Sequence, residues 1–317
     1  MGLSHVRLGV IGLGSMGRRH LETLARLQLG RLAAVATRSA DKRAEASAEF
    51  GVTAVEDYRQ LEDLVDAVVV CVPTVLHAEV AAFFLERGVH VLVEKPIATT
   101  PEEAMELIET ARRSGAILMV GHIERFNPAY MRLQEMLQRR GGLQTLSDEV
   151  SVQAFRMGPY DGRIQDVGVE HDLMIHDVDA IRGLLPGARL ALRSALGMRV
   201  ITPQTDIAMA GLEAGFKSGR GPKVNIQILA SRVADARRRG LRIEHPRLRV
   251  ELDFFHQTLH LSEGGGSLQP VEVEKAYPLD AELRHFVDCI RRRAVPQVDG
   301  YDGLRALEIC AAIRVAT

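Results

Sequence analysis

The sequence lacks several features that would point to other classes of protein. It has no apolar run of about 18 residues that could cross a membrane, and no signal-peptide pattern at its start. Charge of one sign is also missing, since 40 basic and 41 acidic residues give a formal charge of −1. We therefore expect no nucleic-acid partner, no membrane partner, and a cytoplasmic location.

Cysteine is scarce as well. Cys71, Cys289 and Cys310 are far apart and lie in apolar surroundings. Such spacing gives neither a disulfide framework nor a set of metal ligands, so we predict reduced core thiols and no metal. A length of 317 residues favours two domains over one.

A glycine-rich turn is the most informative segment that is present. An apolar run over residues 8–11 predicts a buried strand, and a helical pattern begins near Met16. Between them, Gly12, Gly14 and Gly17 have the spacing G-x-G-x-x-G. In a dinucleotide site these glycines make the turn, let pyrophosphate approach, and let helix pack on strand. The alternative is an ordinary glycine-rich turn.

The residues after the second predicted strand bear on which dinucleotide binds. NAD sites usually have Asp or Glu there, on the ribose 2′-hydroxyl. This chain has Thr37, Arg38 and Ser39 instead. Because arginine can pair with a 2′-phosphate, the segment favours NADP over NAD. The alternative is an Arg38 that only faces solvent, with an NAD ribose held by Thr37 and backbone.

The alternation of strands and helices predicts the architecture. Through residue 121, apolar strands at 8–11, 32–37, 67–72, 89–93 and 117–120 alternate with helices at 16–27, 40–50, 78–87 and from Thr100. This pattern predicts an α/β fold with a doubly wound parallel sheet, in a dinucleotide-binding domain over residues 1–121.

Strands follow one another directly in the remainder, residues 122–317, which we predict to be a substrate-binding domain. They are predicted at 150–155, 190–200, 224–230, 241–243, 248–254 and 258–261, with helices at 128–138, 172–185, 281–293 and 303–315. The order indicates an antiparallel or mixed sheet in an α+β domain. The last helix could pack back on the first domain.

Two groups of residues have the chemistry of a catalytic site. Glu94, Lys95 and Pro96 end a buried parallel strand, where ligands bind in such sheets, and a lysine there can stabilise a developing oxyanion. Asp172 and His176 are four residues apart and meet on one helix face, where a histidine can exchange a proton near neutral pH. The alternatives are an exposed strand-end pair and a solvated helix face.

Together these motifs resemble the glucose–fructose oxidoreductase/inositol dehydrogenase family (Gfo/Idh/MocA) over essentially the full chain. The resemblance implies an N-terminal Rossmann domain and a C-terminal domain with a large, mostly antiparallel, open-faced sheet that mediates homo-oligomer contacts in a dimer or tetramer. It also implies that Lys95, Asp172 and His176 are catalytic. The residues then expected to bind the cofactor are Gly12, Gly14, Ser15, Met16, Gly17, Thr37, Arg38, Ser39, Pro73, His77, Glu94 and Lys95.

Within the family, residues 121–128 and 156–163 most resemble the branch that acts on UDP-N-acetylglucosamine at C3. This resemblance implies a substrate site formed by His122, Arg125, Asn127, Arg156, Tyr160 and Arg163, with Arg156 and Arg163 on the diphosphate. Alternatively, Asn127 only caps a helix that begins at Pro128.

Three functions remain open on the sequence. The first is an NAD(P)-dependent dehydrogenase of a sugar or sugar nucleotide. The second is a reductase or dehydrogenase of a free sugar, inositol or another small carbonyl compound. The third is a catalytically silent regulator that binds a nucleotide. The intact set of Lys95, Asp172 and His176 favours an enzyme, because a sensor has no need of it.

Overall fold

A computed structural model describes residues 6–160, 162, 167–216 and 221–317. The chain forms two compact units. The first consists of Met1–His122 and Leu279–Leu304, and the second of Ile123–Pro278 and Arg305–Thr317. Among the described residues, no helix combines the length and the apolar character needed to cross a membrane.

The first unit contains a parallel sheet of six strands. They are β1 Arg7–Ile11, β2 Arg31–Ala36, β3 Thr53–Val55, β4 Ala67–Val70, β5 His90–Glu94 and β6 Leu118–Gly121. Their order across the sheet is β3-β2-β1-β4-β5-β6. This order, reversing between β1 and β4, is that of the doubly wound dinucleotide-binding fold. The predicted fold class is confirmed for this unit.

In the part of the chain that the structure describes, the first unit also contains five α-helices. Numbered along the whole chain, they are α1 Ser15–Leu27, α2 Ala40–Phe50, α3 His77–Glu86, α4 Pro101–Ser114 and α7 Pro278–Arg292. Local sequence sets their starts: the Ser39 side chain caps α2, and Thr100 forms a capping box with Glu103 at α4.

Residues 279–304 belong to the first unit although they lie far beyond the boundary predicted at residue 121. Helix α7 buries Leu283, Phe286 and Ile290, and the Val120 backbone N–H donates to the Val298 carbonyl oxygen at 3.1 Å. The late segment therefore contributes both apolar packing and a backbone hydrogen bond to the sheet edge formed by β6.

The second unit contains an eight-stranded sheet. Its strands are β7 Glu149–Met157, β8 Ala188–Met198, β9 Ile207–Phe216, β10 Lys223–Ser231, β11 Arg238–His245, β12 Leu248–Asp253, β13 Thr258–Glu263 and β14 Gln269–Val271. The order is β14-β13-β12-β11-β7-β10-β9-β8, in which β7 and β10 pair in parallel and the other neighbours pair antiparallel. The expected mostly antiparallel sheet is confirmed.

Three helices complete the second unit: α5 Pro128–Arg139, α6 Ile175–Leu184 and the greater part of α8 Gly300–Ala316. Along β7, Val150, Val152, Ala154 and Arg156 are buried while the residues between them are more exposed. This period of two means that one face of the strand is covered and the other is open.

Strands β3, β9 and β14 were not predicted from the sequence. Strand β9 is rich in alanine and glycine, which have weak strand propensity. Its pairing with β8 and β10 and the burial of every second residue, such as Ala208, Ala210 and Leu212, stabilise it instead.

Candidate active site

The glycine-rich turn connects β1 to α1, and two of its glycines are required by the fold itself. Gly12 has a φ of +88°, and a Cβ there would lie 2.7 Å from the Cys71 carbonyl oxygen. A Cβ on Gly17 would lie 1.8 Å from the Gly12 carbonyl oxygen. Gly12 therefore makes the turn, and Gly17 lets α1 pack closely against it.

Gly14 differs, because nothing in the protein requires a glycine there. Its φ is −72°, and an added Cβ would meet no atom within 4 Å. The empty space in front of Gly14 fits the position where a pyrophosphate would approach the backbone. The residues of the turn thus fit the dinucleotide that they were predicted to bind.

The N-terminus of α1 suits an anion as well. Gly14 is its N-cap and offers no side-chain hydrogen bond, and the first turn contains no acidic residue. Gly14 and Ser15 are exposed and Met16 is half-buried. The first amide groups and the positive end of the helix dipole can therefore act on a phosphate.

Cationic side chains surround the end of β2. Arg38 is exposed, and the Lys42 ammonium group donates to the Leu13 carbonyl oxygen at 2.9 Å. Lys42 thus reaches from α2 to the glycine-rich turn. Ser39 is half-buried and caps α2, while the Thr37 carbonyl oxygen accepts from Arg43 at 2.7 Å.

The turns after β4 and β5 are joined by His77. This histidine is 1% exposed, with Nδ1 2.7 Å from the Pro96 carbonyl oxygen and Nε2 2.9 Å from the Val72 carbonyl oxygen. Burial lowers the pKa of His77 in spite of these contacts. Pro73 is exposed just before the 3₁₀ turn Thr74–Leu76. His77 therefore fixes the backbone beside Lys95, with which Pro96 forms a cis peptide bond.

Glu94 and Lys95 lie at the end of β5. His20, on the buried face of α1, donates from Nε2 to Glu94 Oε1 at 2.8 Å, and the Lys95 backbone N–H donates to Glu94 Oε2 at 3.3 Å. Burial acts to raise the pKa of Glu94, but the hydrogen bond from His20 and the charges of His20 and Lys95 outweigh it. Glu94 therefore stays ionised, and the Lys95 side chain is half-buried.

His122 directly follows β6 and is 1% exposed. Its backbone N–H donates to the Val120 carbonyl oxygen at 2.8 Å. The structure thus places His122 in the interior at the end of β6, in the first unit.

In the second unit, Asp172 and His176 lie where a π-helical turn, Glu170–Met174, runs into α6. The sequence predicted one continuous α-helix, and single π turns are frequent at functional sites. Asp172 and His176 are both half-buried, and Met174, Val178 and Ile181 form a buried apolar stripe.

Three charged residues form a buried group in the second unit, here named the arginine cluster: Glu124, Arg156 and Asp177. Arg156 is 2% exposed, and its Nε and Nη2 donate to Asp177 while Nη1 donates to Glu124 at 2.8 Å. Burial alone would lower the pKa of Arg156, but the two carboxylates outweigh it and raise that pKa. Each guanidinium nitrogen already donates to a protein carboxylate, so we reassign Arg156 from diphosphate binding to a structural role.

Two further residues that were predicted to bind substrate form hydrogen bonds with other groups of the protein instead. Arg125 is 4% exposed and donates from Nε to Asp179 at 3.0 Å. Asn127 is 1% exposed, accepts from the Ala129 backbone N–H as the N-cap of α5, and donates to the Phe254 carbonyl oxygen at 2.9 Å. The capping alternative for Asn127 is confirmed.

The last two predicted substrate residues have different outcomes. Tyr160 is half-buried, and the Arg232 guanidinium carbon lies 6.0 Å from the centre of its ring. Arg163 lies outside the described residues.

Comparison with known proteins shows to which family the chain belongs. Residues 6–122 match the model of an oxidoreductase family with an NAD-binding Rossmann fold, Gfo/Idh/MocA. Over 98% of its length the chain is 33% identical to UDP-N-acetylglucosamine 3-dehydrogenase of Acidithiobacillus ferrooxidans, covering 97% of that protein. The chain belongs to the Gfo/Idh/MocA family.

Other dehydrogenases are similar over most of the chain. The chain is 28% identical to an NAD⁺-dependent scyllo-inositol 2-dehydrogenase of Bacillus subtilis, covering 96% of this chain and 92% of that protein. The crystal structure of the Acidithiobacillus enzyme superposes with a TM-score of 0.88 over 99% of this chain and 98% of its own. Levoglucosan dehydrogenase in complex with NADH shares the fold at a TM-score of 0.84, with 19% identity and 98% and 96% coverage.

Membership of an oxidoreductase family makes the chain an oxidoreductase, and the resemblance noted in the sequence is confirmed. Sequence reasoning missed His20, Glu124, Asp177 and Glu282, the last in α7. A signal existed for Arg156, because it continues the period of two set by the apolar residues of β7. Because Arg156 is in step with the buried apolar residues of β7, the pattern predicts that its side chain is buried in the protein and does not face a ligand.

Proposed function

We propose that this oxidoreductase acts on C3 of the sugar in UDP-N-acetylglucosamine. The observation that carries this substrate is the 33% identity to the 3-dehydrogenase, which extends over 98% of the chain rather than the cofactor domain alone. When bound, the nicotinamide cofactor supplies the acceptor or donor of the hydride. The protein then has to bind both molecules and move the hydroxyl proton.

Lys95, Asp172 and His176 are the residues proposed for that proton. Loss of hydride from a carbinol carbon requires a base for the hydroxyl proton, and an imidazole nitrogen of His176 can accept it near neutral pH. Asp172 is near in sequence and equally half-buried, so its carboxylate can orient the imidazole. The Lys95 ammonium group would stabilise the negative oxygen that develops. The fixed backbone around Lys95 supports this role.

NADP is the cofactor that we propose. Arg38 and Lys42 bring two cations to the end of β2, where NAD sites usually carry a carboxylate. Lys42 already donates to Leu13 in the turn, so its ammonium group lies beside the dinucleotide cradle. A 2′-phosphate would complement this charge, and the Ser39 hydroxyl could donate to it.

Because Arg156 has a structural role, the proposed substrate contacts are Tyr160, Arg163 and the residues around His122 at the end of β6. Arg239 is a candidate anion contact that the fold adds. It pairs with Arg156 in the register of β11 and β7, is half-exposed, and has Nη1 3.9 Å from Glu124 Oε1. It thus presents positive charge at the exposed margin of the arginine cluster.

Homo-oligomerisation through the second sheet is also a proposal. Leu196 and Met209 are paired on β8 and β9, and with Met198 they expose an apolar strip on one face. A second copy of the chain could cover it. The cytoplasmic location stays a prediction.

The test is a turnover assay at nicotinamide absorbance with NAD and NADP. Substrates are UDP-N-acetylglucosamine, free N-acetylglucosamine, glucose and inositol. We expect turnover on the nucleotide sugar, and a loss of roughly 10²–10⁴ in Lys95→Ala and His176→Ala with cofactor affinity retained. Arg31→Ala, at the far end of β2, is the matched control for lost positive charge.

Full activity in both variants would refute the catalytic assignment. Activity on free sugars or inositol with none on UDP-N-acetylglucosamine would refute the substrate and leave the dehydrogenase intact. No turnover with any dinucleotide, despite binding, would favour the silent regulator.

A further inference from the structure

Three side chains lie close together in the interior of the first unit, His20, Cys71 and Glu94, and a fourth, Glu282, is buried in the same unit; the four are here named the acid cluster. They come from α1, the residue after β4, the end of β5, and α7. Ligand atoms of His20, Cys71 and Glu94 all lie within 4.8 Å of one another. Cys71 also contacts the turn, because its carbonyl oxygen blocks the Cβ position of Gly12.

Glu282 is the unusual member of this group. It is 1% exposed, and neither carboxylate oxygen has a hydrogen-bond partner among the described residues. An ionised carboxylate in that position would cost several kcal/mol of uncompensated desolvation. The neighbouring Glu94 is itself a carboxylate and is already bonded to His20.

The charges around Glu282 decide which acid holds a proton. Glu94 has His20 as a donor, and the charges of Lys95 and His77 also lower its pKa. Cys71 is a thiol whose pKa is raised by burial and by Glu94 and Glu282. On α7 itself, Asp280 pairs with Arg26, and His285 lies 3.4 Å from Cys289 Sγ.

None of these neighbours gives Glu282 a cation of its own. Burial and the charge of Glu94 raise the pKa of Glu282 well above its ordinary range. The negative charge of one buried carboxylate disfavours ionisation of the other, and the one with a hydrogen-bond donor keeps the charge. Glu94 is therefore the anion and Glu282 the neutral acid.

We propose that Glu282 is a positioning residue that carries a proton, so that Glu94 alone bears the charge that fixes α1 through His20 and the backbone of Lys95. Loss of that proton to solvent at alkaline pH would set two anions against each other beneath the glycine-rich turn. The expected consequence is weaker dinucleotide binding and a displaced Lys95. The role of Lys95 rests on the proposed function, whereas the effect on the turn does not.

A metal ion is the competing occupant of the acid cluster. His20 Nε2 and Glu94 Oε1 are 2.8 Å apart, which is a hydrogen-bond distance. Two ligands of a tetrahedral zinc would be roughly 3.3 Å apart at bond lengths of about 2.0 Å. The geometry therefore favours a shared hydrogen bond over coordination.

The experiment compares wild type, Glu282→Gln, Glu282→Ala and the surface control Glu106→Gln on the full chain. NADPH affinity, by nicotinamide fluorescence, and the thermal midpoint are measured from neutral to alkaline pH. Wild type and Glu106→Gln should lose about tenfold in affinity at the alkaline end. Glu282→Gln, which is permanently neutral, should match wild type at neutral pH and lack the alkaline loss, and Glu282→Ala should bind less tightly at every pH.

An alkaline loss that persists in Glu282→Gln would overturn the proposal, as would a tenfold loss of affinity in Glu282→Gln at neutral pH. One equivalent of tightly held metal in the purified protein would do the same. If Glu282→Gln does not fold, the wild-type infrared spectrum decides, since a protonated carboxylic acid band must be present at neutral pH. Failure of wild type to bind any dinucleotide would instead refute the proposed function.

Discussion

Two buried clusters, one in each unit, differ in how their charges are paired. In the second unit the arginine cluster pairs each guanidinium nitrogen of Arg156 with a carboxylate. In the first unit the acid cluster contains Glu282, for which the described residues offer no partner, and the nearby turn leaves open space at Gly14. The fully paired arginine cluster stabilises the fold by itself. The unpaired carboxyl group of Glu282 needs a proton, and the open space at Gly14 can accept a ligand.

Removing Arg156 should have the largest effect of the substitutions that test this difference between the clusters. We expect Arg156→Met to lower the free energy of unfolding by roughly 3–5 kcal/mol, because Asp177 and Glu124 would be left buried without a cation. Denaturant unfolding measures the effect. Arg238→Met, whose side chain is 60% exposed, is the control and should change stability by about 0.5 kcal/mol or less.

Pairing can be tested separately from burial. Replacing both Arg156 and Asp177 by apolar residues should cost less than the sum of the two single changes, because each removes the other's unpaired charge. A stable Arg156→Met variant with a raised KM for the nucleotide sugar would contradict the structural role and restore the diphosphate role predicted from the sequence.

Filling the space at Gly14 is the next largest effect. Gly14→Val should weaken dinucleotide binding by about a hundredfold, or ~2.7 kcal/mol, with the thermal midpoint unchanged, since a Cβ added there would meet no protein atom within 4 Å. Gly17→Ala provides the contrast and should destabilise the fold, as its Cβ would overlap the Gly12 carbonyl oxygen. Unchanged affinity in Gly14→Val would show that no phosphate lies there.

The smallest effect concerns the cations at the end of β2. Arg38→Ala should weaken NADPH binding by roughly 1.5–3 kcal/mol, about ten- to a hundredfold, and leave NADH binding unchanged, because only the 2′-phosphate makes the charged contact. Titration of both cofactors measures the difference, with Arg31→Ala as control. Equal affinity of the wild type for NADH and NADPH would refute the NADP preference.

The same contrast explains what the sequence could predict. The turn at Gly12, the cap at Ser39 and the capping box at Thr100 depend on neighbours within a few residues, so their patterns are visible in the chain. Strands β1, β4, β5 and β6 of the first sheet are mostly continuous apolar runs buried on both faces, and such runs can be found in the sequence, whereas the short and partly exposed β3 cannot.

The acid and arginine clusters depend on contacts between distant segments. Glu282 lies in the same unit as Glu94 only because α7 returns to the first unit, and nothing local to Glu282 signals that return. Arg156 has the residue type of an anion ligand, and only its partners Asp177 and Glu124 show otherwise. Residue type suggests chemistry, but tertiary neighbours decide whether it is available.

The return of residues 279–304 has a consequence for how the protein is made. The glycine-rich turn is synthesised before the second sheet, but the helix that brings Glu282 and a large apolar face to the same unit is synthesised after that sheet. The cofactor-binding unit therefore cannot complete its fold, and its apolar surface stays uncovered, while the whole second sheet is translated. Interrupted synthesis would release a chain prone to aggregation, so this enzyme should depend on chaperones more than a protein whose units are continuous in sequence.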